Sequence, residues 1–219
     1  MSALADRLSA VQAGIADAAS AAGRDAASIS TIVVTKFHPA GLVRDLYDLG
    51  VREFGESRHQ EAQPKVAELA DLDAATWHFI GQLQSKKAKQ VAAYSDVIHS
   101  FDRQALVAPL EGSRVLIQVN LTDDQERGGA APSAVEPLAQ LALEGGLTVL
   151  GLMAVAPLGI EPRAAFSRVR ELSELLVRTA PSATALSMGM SGDYAEAILE
   201  GATHLRIGTA ITGNRPTQG

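Results

Sequence analysis

The amino-acid sequence predicts an α/β protein, built as a single (β/α)8 TIM barrel with an extra helix before the first strand. Helical and strand-like patterns alternate along all 219 residues, and no linker or low-complexity segment marks a second domain. The alternation contains about eight strand–helix units, and repeated right-handed crossovers of that number close a parallel sheet into a barrel. The domain is therefore expected to span residues 1–219. An open doubly wound sheet is the alternative, but no G-x-G-x-x-G motif follows the first strand.

Each predicted strand is a short apolar run, and the predicted helices show the longer helical period. Ile32, Val33 and Val34 form a β-branched run that is apolar on both faces, as in a buried parallel strand. The opening helix has a stripe of leucine, valine and isoleucine, and it ends at Gly23. The predicted strands are 31–35, 51–54, 76–81, 96–99, 114–120, 148–152, 184–188 and 204–207. The predicted helices are 1–23, 41–49, 60–69, 84–93, 101–110, 134–143, 163–179 and 194–199.

The composition excludes several classes of protein. A net charge of −6 argues against a general nucleic-acid binder, which needs a basic surface. The absence of cysteine excludes disulfides, thiolate metal sites and cysteine nucleophiles. No run approaches the roughly 20 apolar residues of a membrane span, and the opening helix is too charged for a signal peptide. We therefore expect a cytoplasmic protein that contacts neither nucleic acid nor a membrane.

Lys36 is the first candidate for chemistry. It follows the first predicted strand, and barrels of this kind carry their chemistry at the carboxyl ends of the strands. A lysine that ends a strand is more often a solvated charge, so its position alone does not assign a role. The loops late in the chain favour the functional interpretation.

Two late loops have the residues of an anion site. The first contains Gly189, Ser191 and Gly192, in which the glycines allow close approach and the serine offers a hydroxyl. A structural alternative is a capping box made by Asp193 with the glutamate three residues later. The second loop contains Gly208 and Thr209, after the eighth strand. Barrels frequently bind phosphate with the loops after strands seven and eight.

The topology brings these features together. Strand eight neighbours strand one in a closed barrel, so Lys36 and both late loops share one mouth. An amine beside a phosphate site suits an aldehyde that carries a phosphate. The amine must be neutral to attack, and a nearby cation such as Arg206 favours that form. Arg206 alternates with apolar neighbours on strand eight, so its side chain is expected in the barrel interior.

Other polar residues are weaker candidates. Glu53 and Glu56 are expected near the same rim by chain position, as solvated or paired charges with a minor chance of tuning Lys36. The histidines do not have the spacing of a metal site, so no metal is expected.

Several ordered motifs resemble one known family along nearly the whole chain. They are V-V-T-K-F-H-P (33–39), F-G-E-S (54–57), W-H-F-I-G-Q-L-Q (77–84), I-H-S-F-D-R (98–103), Q-V-N (118–120), G-L-M (151–153), L-S-M-G-M-S-G-D (186–193) and R-I-G-T (206–209). Together they resemble the pyridoxal phosphate (PLP) homeostasis protein family, whose members are similar to the barrel domain of alanine racemase. Departures from the family pattern occur at Ser57, Lys86 and Thr212.

The resemblance implies a role for each site residue. Lys36 matches the lysine that forms the internal aldimine with PLP, and Ser191, Gly208 and Thr209 match the phosphate-binding positions. Arg206 matches the arginine near the pyridine nitrogen, where it cannot accept the proton of the ring. The family's attributed role is keeping free PLP low and supplying the cofactor, without an established catalytic turnover.

Two enzymatic alternatives remain, an amino-acid racemase and a Schiff-base aldolase. Racemisation needs two positioned acid/base groups, and the tyrosines (Tyr47, Tyr94 and Tyr194) lie on or beside predicted helices, away from the site. We expect a monomer that binds PLP and has PLP-dependent apo-enzymes as partners.

Overall fold

The structure is a closed barrel of eight parallel strands surrounded by helices. It is a computed structural model that describes residues 2–124 and 126–214. The strands follow one another around the barrel in chain order, and the last pairs with the first. They are β1 (Ser30–Val34), β2 (Glu53–Glu56), β3 (Thr76–Phe79), β4 (Val97–Phe101), β5 (Arg114–Gln118), β6 (Thr148–Met153), β7 (Ala185–Ser187) and β8 (His204–Ile207).

Within residues 2–124 and 126–214, one α-helix precedes the barrel and seven follow its strands. The helices are α1 (Ala3–Ala21), α2 (Ala40–Asp48), α3 (His59–Glu68), α4 (Ser85–Ala92), α5 (Val135–Glu144), α6 (Pro162–Thr179), α7 (Tyr194–Leu199) and α8 (Thr209–Thr212). After β4, two short 3-10 turns (Gln104–Leu106 and Ala108–Leu110) replace the α-helix. None of the helices in the described ranges is both long and apolar enough to cross a membrane.

The closing seam places the end of β1 beside the end of β8. Ile32 pairs with Arg206, and Val33 pairs with Ile207. β8 in turn pairs with β7, at Ser187 and His204. The loops that follow β7 and β8 therefore lie next to the segment that follows β1. This is the arrangement that the predicted site requires.

The apolar core lies mainly between the strands and the helices. Outward-facing side chains such as Val33, Phe54 and Phe79 are buried against the helical layer. A smaller apolar cluster fills one part of the barrel interior, around Leu116 and Met153. Other interior positions are polar, among them those of the buried residues His99, Ser187 and Arg206.

The opening helix, α1, packs against the helices that follow β7 and β8. Arg7 Nε donates to the carbonyl of Ile211 at 2.7 Å, and Arg24 donates to the carbonyl of Ile198 at 3.0 Å. These contacts tie α1 to α8, and the turn after α1 to α7, so the extra helix supports the loops at the seam.

The predicted fold class is confirmed, and the open doubly wound sheet is wrong because β1 pairs with β8. The single helix predicted over 101–110 is also wrong. Phe101 is fully buried as the last residue of β4. Pro109 lacks the backbone N–H that an α-helix through this segment would use, and only two 3-10 turns form. The other predicted elements exist, with ends displaced by a few residues.

Candidate functional site

Lys36 lies two residues beyond the end of β1, at the carboxyl-terminal mouth of the barrel, and is partly exposed. The residue after it, Phe37, has a φ of 69°. This left-handed conformation is sparsely populated by non-glycine residues, and it persists only where neighbouring contacts enforce it.

Helix α3 and the residue that precedes it, Arg58, supply those contacts. The backbone N–H of Phe37 donates to Glu61 Oε2 at 3.1 Å, and the Arg58 guanidinium lies 5.1 Å from the centre of the Phe37 ring. Arg58 and Glu61 also form an ion pair at 3.0 Å. The backbone beside Lys36 is therefore fixed by a neighbouring helix, which restricts where the amine can point.

A buried ion pair between Lys65 and Glu56 also holds the backbone that precedes Lys36. Lys65 Nζ lies 2.6 Å from Glu56 Oε1, and it also donates to the carbonyl of Thr35 at 2.9 Å. The Thr35 hydroxyl donates to the same Glu56 oxygen at 2.6 Å. The other oxygen, Glu56 Oε2, is buried without a hydrogen-bond partner among the described residues. Glu56 thus anchors the end of β1, and the expectation that it is a paired charge is confirmed.

The loop after β7 presents backbone donors at this mouth. Gly189 has a φ of 92°, and a Cβ there would lie 2.6 Å from the Cβ of Ala197, so only glycine fits without a shift. Asp193 accepts from the backbone N–H of Met190 at 2.6 Å and makes no capping hydrogen bond to α7. The capping-box alternative is therefore wrong. Within the described ranges, the N–H groups of Ser191 and Gly192 donate no hydrogen bond.

The loop after β8 lies directly beside β1. A Cβ on Gly208 would be 3.7 Å from the Cβ of Val34, two residues before Lys36. Gly208 precedes α8, and the N–H of Thr209 has no acceptor inside that helix. The carbonyl of Gly189 accepts from the N–H of Arg206 at 3.0 Å, which joins the loop after β7 to β8. Lys36, Ser191, Gly208 and Thr209 are thus brought to one mouth.

Arg206 is 4% exposed and lies inside the barrel. Its guanidinium donates to Ser187 Oγ at 2.6 Å and to the carbonyl of Ala154 at 2.9 Å. Burial lowers the pKa of Arg206 to about 10, and the Asp193 carboxylate opposes this change, so the side chain is a cation at neutral pH. It is a donor without acceptor capacity.

Comparison with known proteins identifies the family. Residues 7–216 match the family model described as alanine racemase, N-terminal domain. The pyridoxal phosphate homeostasis protein of Pseudomonas aeruginosa is 40% identical, covering 98% of this chain and 97% of that protein. The homologue from Mycobacterium bovis bearing the same name is 38% identical over 97% of this chain and 93% of its own. This chain belongs to the pyridoxal phosphate homeostasis protein family.

Solved structures agree with that assignment. PipY from Synechococcus elongatus, solved with PLP bound, has a TM-score of 0.80 and 36% identity, covering 96% of this chain and all of PipY. The alanine racemase of Corynebacterium glutamicum has a TM-score of 0.70 at 15% identity, which shows the fold alone. That match covers 95% of this member of the PLP homeostasis family and 61% of the racemase.

The tyrosines of this PLP homeostasis family member lie in the outer layer. The Arg52 guanidinium stacks 3.9 Å from the ring centre of Tyr47, and Tyr94 is hydrogen-bonded to His59 at 3.3 Å. The hydroxyl of Tyr194 packs over Gly14 of α1. Each contact is with the helical layer or its loops, as the sequence predicts.

Sequence reasoning missed the polar groups of the interior. His78 and His99, from adjacent strands, are 2.8 Å apart between ring nitrogens, and burial lowers the pKa of His99 well below its usual value. Burial also lowers the pKa of His204 to about 4. Glu53 begins β2 and lies at the amino-terminal mouth, so its expected place at the Lys36 rim is wrong. The described residues contain no group of three or more acidic or histidine side chains able to hold a metal.

Proposed function

We propose that this protein binds PLP covalently through the Lys36 amine and acts in the intracellular homeostasis and carriage of the cofactor, without catalytic turnover of its own. One observation carries the proposal. The Lys36 segment and the two loops rich in free backbone donors meet at the same mouth of a closed barrel.

The residues present fit a phosphorylated aldehyde. Phosphate oxygens are acceptors, and the unused N–H groups of Ser191 and Thr209, with the Ser191 hydroxyl, are donors that such a group would satisfy. Because Gly208 has no side chain, its backbone can come close to the phosphate group. The Lys36 amine would condense with the aldehyde, and the carbonyl oxygen would leave as water. In this scheme, Lys36, Ser191, Arg206, Gly208 and Thr209 hold the cofactor.

Arg206 restricts what the bound cofactor can do. PLP stabilises carbanions by drawing electrons into its ring, most strongly when the ring nitrogen is protonated. A buried guanidinium beside that nitrogen donates and cannot accept its proton. The arginine therefore favours an unprotonated, weaker electron sink, which suits a carrier more than an enzyme.

The tyrosines do not supply the second acid/base group that a racemase needs. Proton removal on one face and return on the other needs two positioned side chains, and the tyrosines lie in the outer layer. The names of the relatives support a homeostasis role, and the PLP-bound PipY structure supports the cofactor. We further propose that the protein is a cytoplasmic monomer whose partners are PLP-dependent apo-enzymes.

The test begins with the absorption spectrum of the purified protein after addition of PLP. We expect a visible band in the wild type and in the control variant Lys89→Ala, which removes an exposed lysine on α4. Lys36→Ala should lack the band. Borohydride reduction followed by peptide mass spectrometry should place one pyridoxyl group on Lys36.

Equal bands in Lys36→Ala and the wild type would refute the covalent assignment. An aldolase would show no band with PLP and would instead be trapped by borohydride with a phosphorylated aldehyde substrate. Transfer of the chromophore from the wild type to an apo-enzyme tests the carrier role, and failure to activate any apo-enzyme offered would contradict it.

A further inference from the structure

A continuous chain of polar side chains crosses the barrel interior from one mouth toward the other. It begins at Arg206, which donates to Ser187 Oγ at 2.6 Å, and Ser187 Oγ lies 3.0 Å from His99 Nδ1. His99 Nε2 lies 2.8 Å from His78 Nδ1, and His78 Nε2 lies 2.5 Å from Glu53 Oε2. Because β4 and β7 are not neighbours in the barrel, the contact between His99 and Ser187 must cross its interior.

The donors in this chain can all point in one direction. Arg206 is donor-only, so Ser187 Oγ accepts from it and is free to donate its own proton to His99 Nδ1. His99 then carries its proton on Nε2 and donates it to His78 Nδ1. His78 carries its proton on Nε2 and donates to the Glu53 carboxylate, and this hydrogen bond lowers the pKa of Glu53. Every link is satisfied with both rings neutral and one charge at each end.

Because the chain of side chains is buried, breaking any one of its hydrogen bonds is costly. His99 and Ser187 are fully buried, and His78 is 3% exposed. An unpaired polar group in such a place loses its hydration without compensation. Other charged and titratable groups also face this chain. His204 lies 6.5 Å from His78 between ring centres, Arg114 acts on both Glu53 and His204, and Asp193 acts on Arg206. None of these three takes part in the hydrogen bonds of the chain.

We propose that Ser187 and His99 are positioning residues that, through His78, anchor the Arg206 guanidinium to Glu53 and hold it against the cofactor ring. The inference rests on the proposed function, because it takes Arg206 to meet the ring nitrogen of PLP. Ser187 fixes one donor of the guanidinium, and the carbonyl of Ala154 fixes another. His99 determines which way the Ser187 hydroxyl points, and so keeps the serine oxygen available as an acceptor.

The first test needs no cofactor. Nitrogen-15 NMR of the histidine rings in the apo-protein reports which ring nitrogen carries the proton. We expect His99 to carry its proton on Nε2 and none on Nδ1 at neutral pH and above, since burial lowers the pKa of this ring. A proton on Nδ1 of His99 would overturn the proposed chain, whatever the protein does with PLP.

The second test measures PLP half-saturation and the absorption maximum of the bound cofactor. His99→Leu should weaken PLP binding about tenfold, as expected for a disturbed hydrogen bond to a charged group, and shift the maximum. His99→Gln restores one donor and one acceptor, and should bind within about threefold of wild type with an unshifted maximum. The matched control is His204→Leu, which removes an interior histidine outside the chain and should match the wild type.

The outcomes separate the two proposals. If the wild type does not take up PLP, the proposed function fails. If the wild type binds PLP, and His99→Leu has the same half-saturation and absorption maximum as the wild type and His204→Leu, the positioning role fails. Ser187→Ala, a smaller change, should also weaken binding about tenfold, and it replaces His99→Leu if that variant does not fold. Equal loss in His99→Leu and His99→Gln would mean a packing role and would overturn the proposal.

Discussion

The buried pair of Lys65 and Glu56 allows a strong prediction about stability. Both side chains are almost fully buried, with 6% and 2% exposed, and their charged atoms are 2.6 Å apart. Lys65→Met keeps most of the aliphatic stem but leaves the Glu56 carboxylate with only the Thr35 hydroxyl as a partner. Removing one member of a buried ion pair costs about 3–5 kcal/mol, because the other charge stays buried without compensation.

This loss is a large fraction of the roughly 5–15 kcal/mol that stabilises a typical domain. It should lower the midpoint of urea unfolding by about 1–2 M. The single tryptophan, Trp77, is buried with its ring centre 5.5 Å from that of Phe54, so its fluorescence reports unfolding of the outer layer. Lys89→Met is the matched control, since Lys89 is exposed on α4, and should change stability by less than about 0.5 kcal/mol.

A double variant tests whether the unpaired Glu56 charge causes the loss of stability. Lys65→Met combined with Glu56→Gln removes the orphaned charge while an amide can still accept from Thr35. It should recover more than half of the lost stability. A cost below about 1 kcal/mol for Lys65→Met, or a double variant less stable than the single one, would refute the reasoning. Because Lys65 also holds the Thr35 carbonyl, Lys65→Met should weaken PLP binding as well.

Three further predictions concern the late loops and the surface. Gly189→Ala should cost about 1–3 kcal/mol in urea unfolding, because it adds strain at a φ of 92° and a clash with Ala197; Gly192→Ala, where a Cβ meets open space, is the control, and equal effects would contradict the argument. Ser191→Ala should weaken PLP retention in dialysis by about 1.5–3 kcal/mol while the visible band still forms, since one hydrogen bond to a charged group is lost; unchanged retention would remove Ser191 from the phosphate site. Arg163 and Arg170 lower the pKa of Glu200 through hydrogen bonds, so this carboxylate stabilises the fold above its unfolded pKa and loses that contribution as the pH falls through its lowered value. Glu200→Gln should therefore be less stable than wild type by about 1 kcal/mol at pH 7, with the difference vanishing at strongly acid pH; a difference that grows on acidification would show the sign to be wrong.

The fold was predictable because its signals are local and repeated. The β-branched run at Ile32, Val33 and Val34 marks a buried parallel strand, and eight such units leave few topologies. The closing seam follows from that topology, so the meeting of Lys36 with the late loops was predictable too. The failures came where a tertiary contact decides, as at 101–110, where burial of Phe101 extends a strand.

The interior polar chain was not predictable, for a physical reason. Parallel strands covered on both faces lack a clear alternation, so the pattern around His78 and His99 does not tell inside from outside. Nothing local in the sequence marks Lys65 as buried, and only the packing of α3 against β2 reveals its partner, Glu56. The left-handed Phe37 has no local signal either, since contacts from α3 enforce it.

The seam between β1 and β8 has a consequence for biosynthesis. Val33 and Ile207 stand near opposite ends of the chain, yet they are paired. Until β8 has left the ribosome, the sheet keeps two open edges, which are templates for aggregation. The segment bearing Lys36 acquires its final neighbours only when that last strand docks. The mouth of the barrel is therefore complete only once β8 has paired with β1.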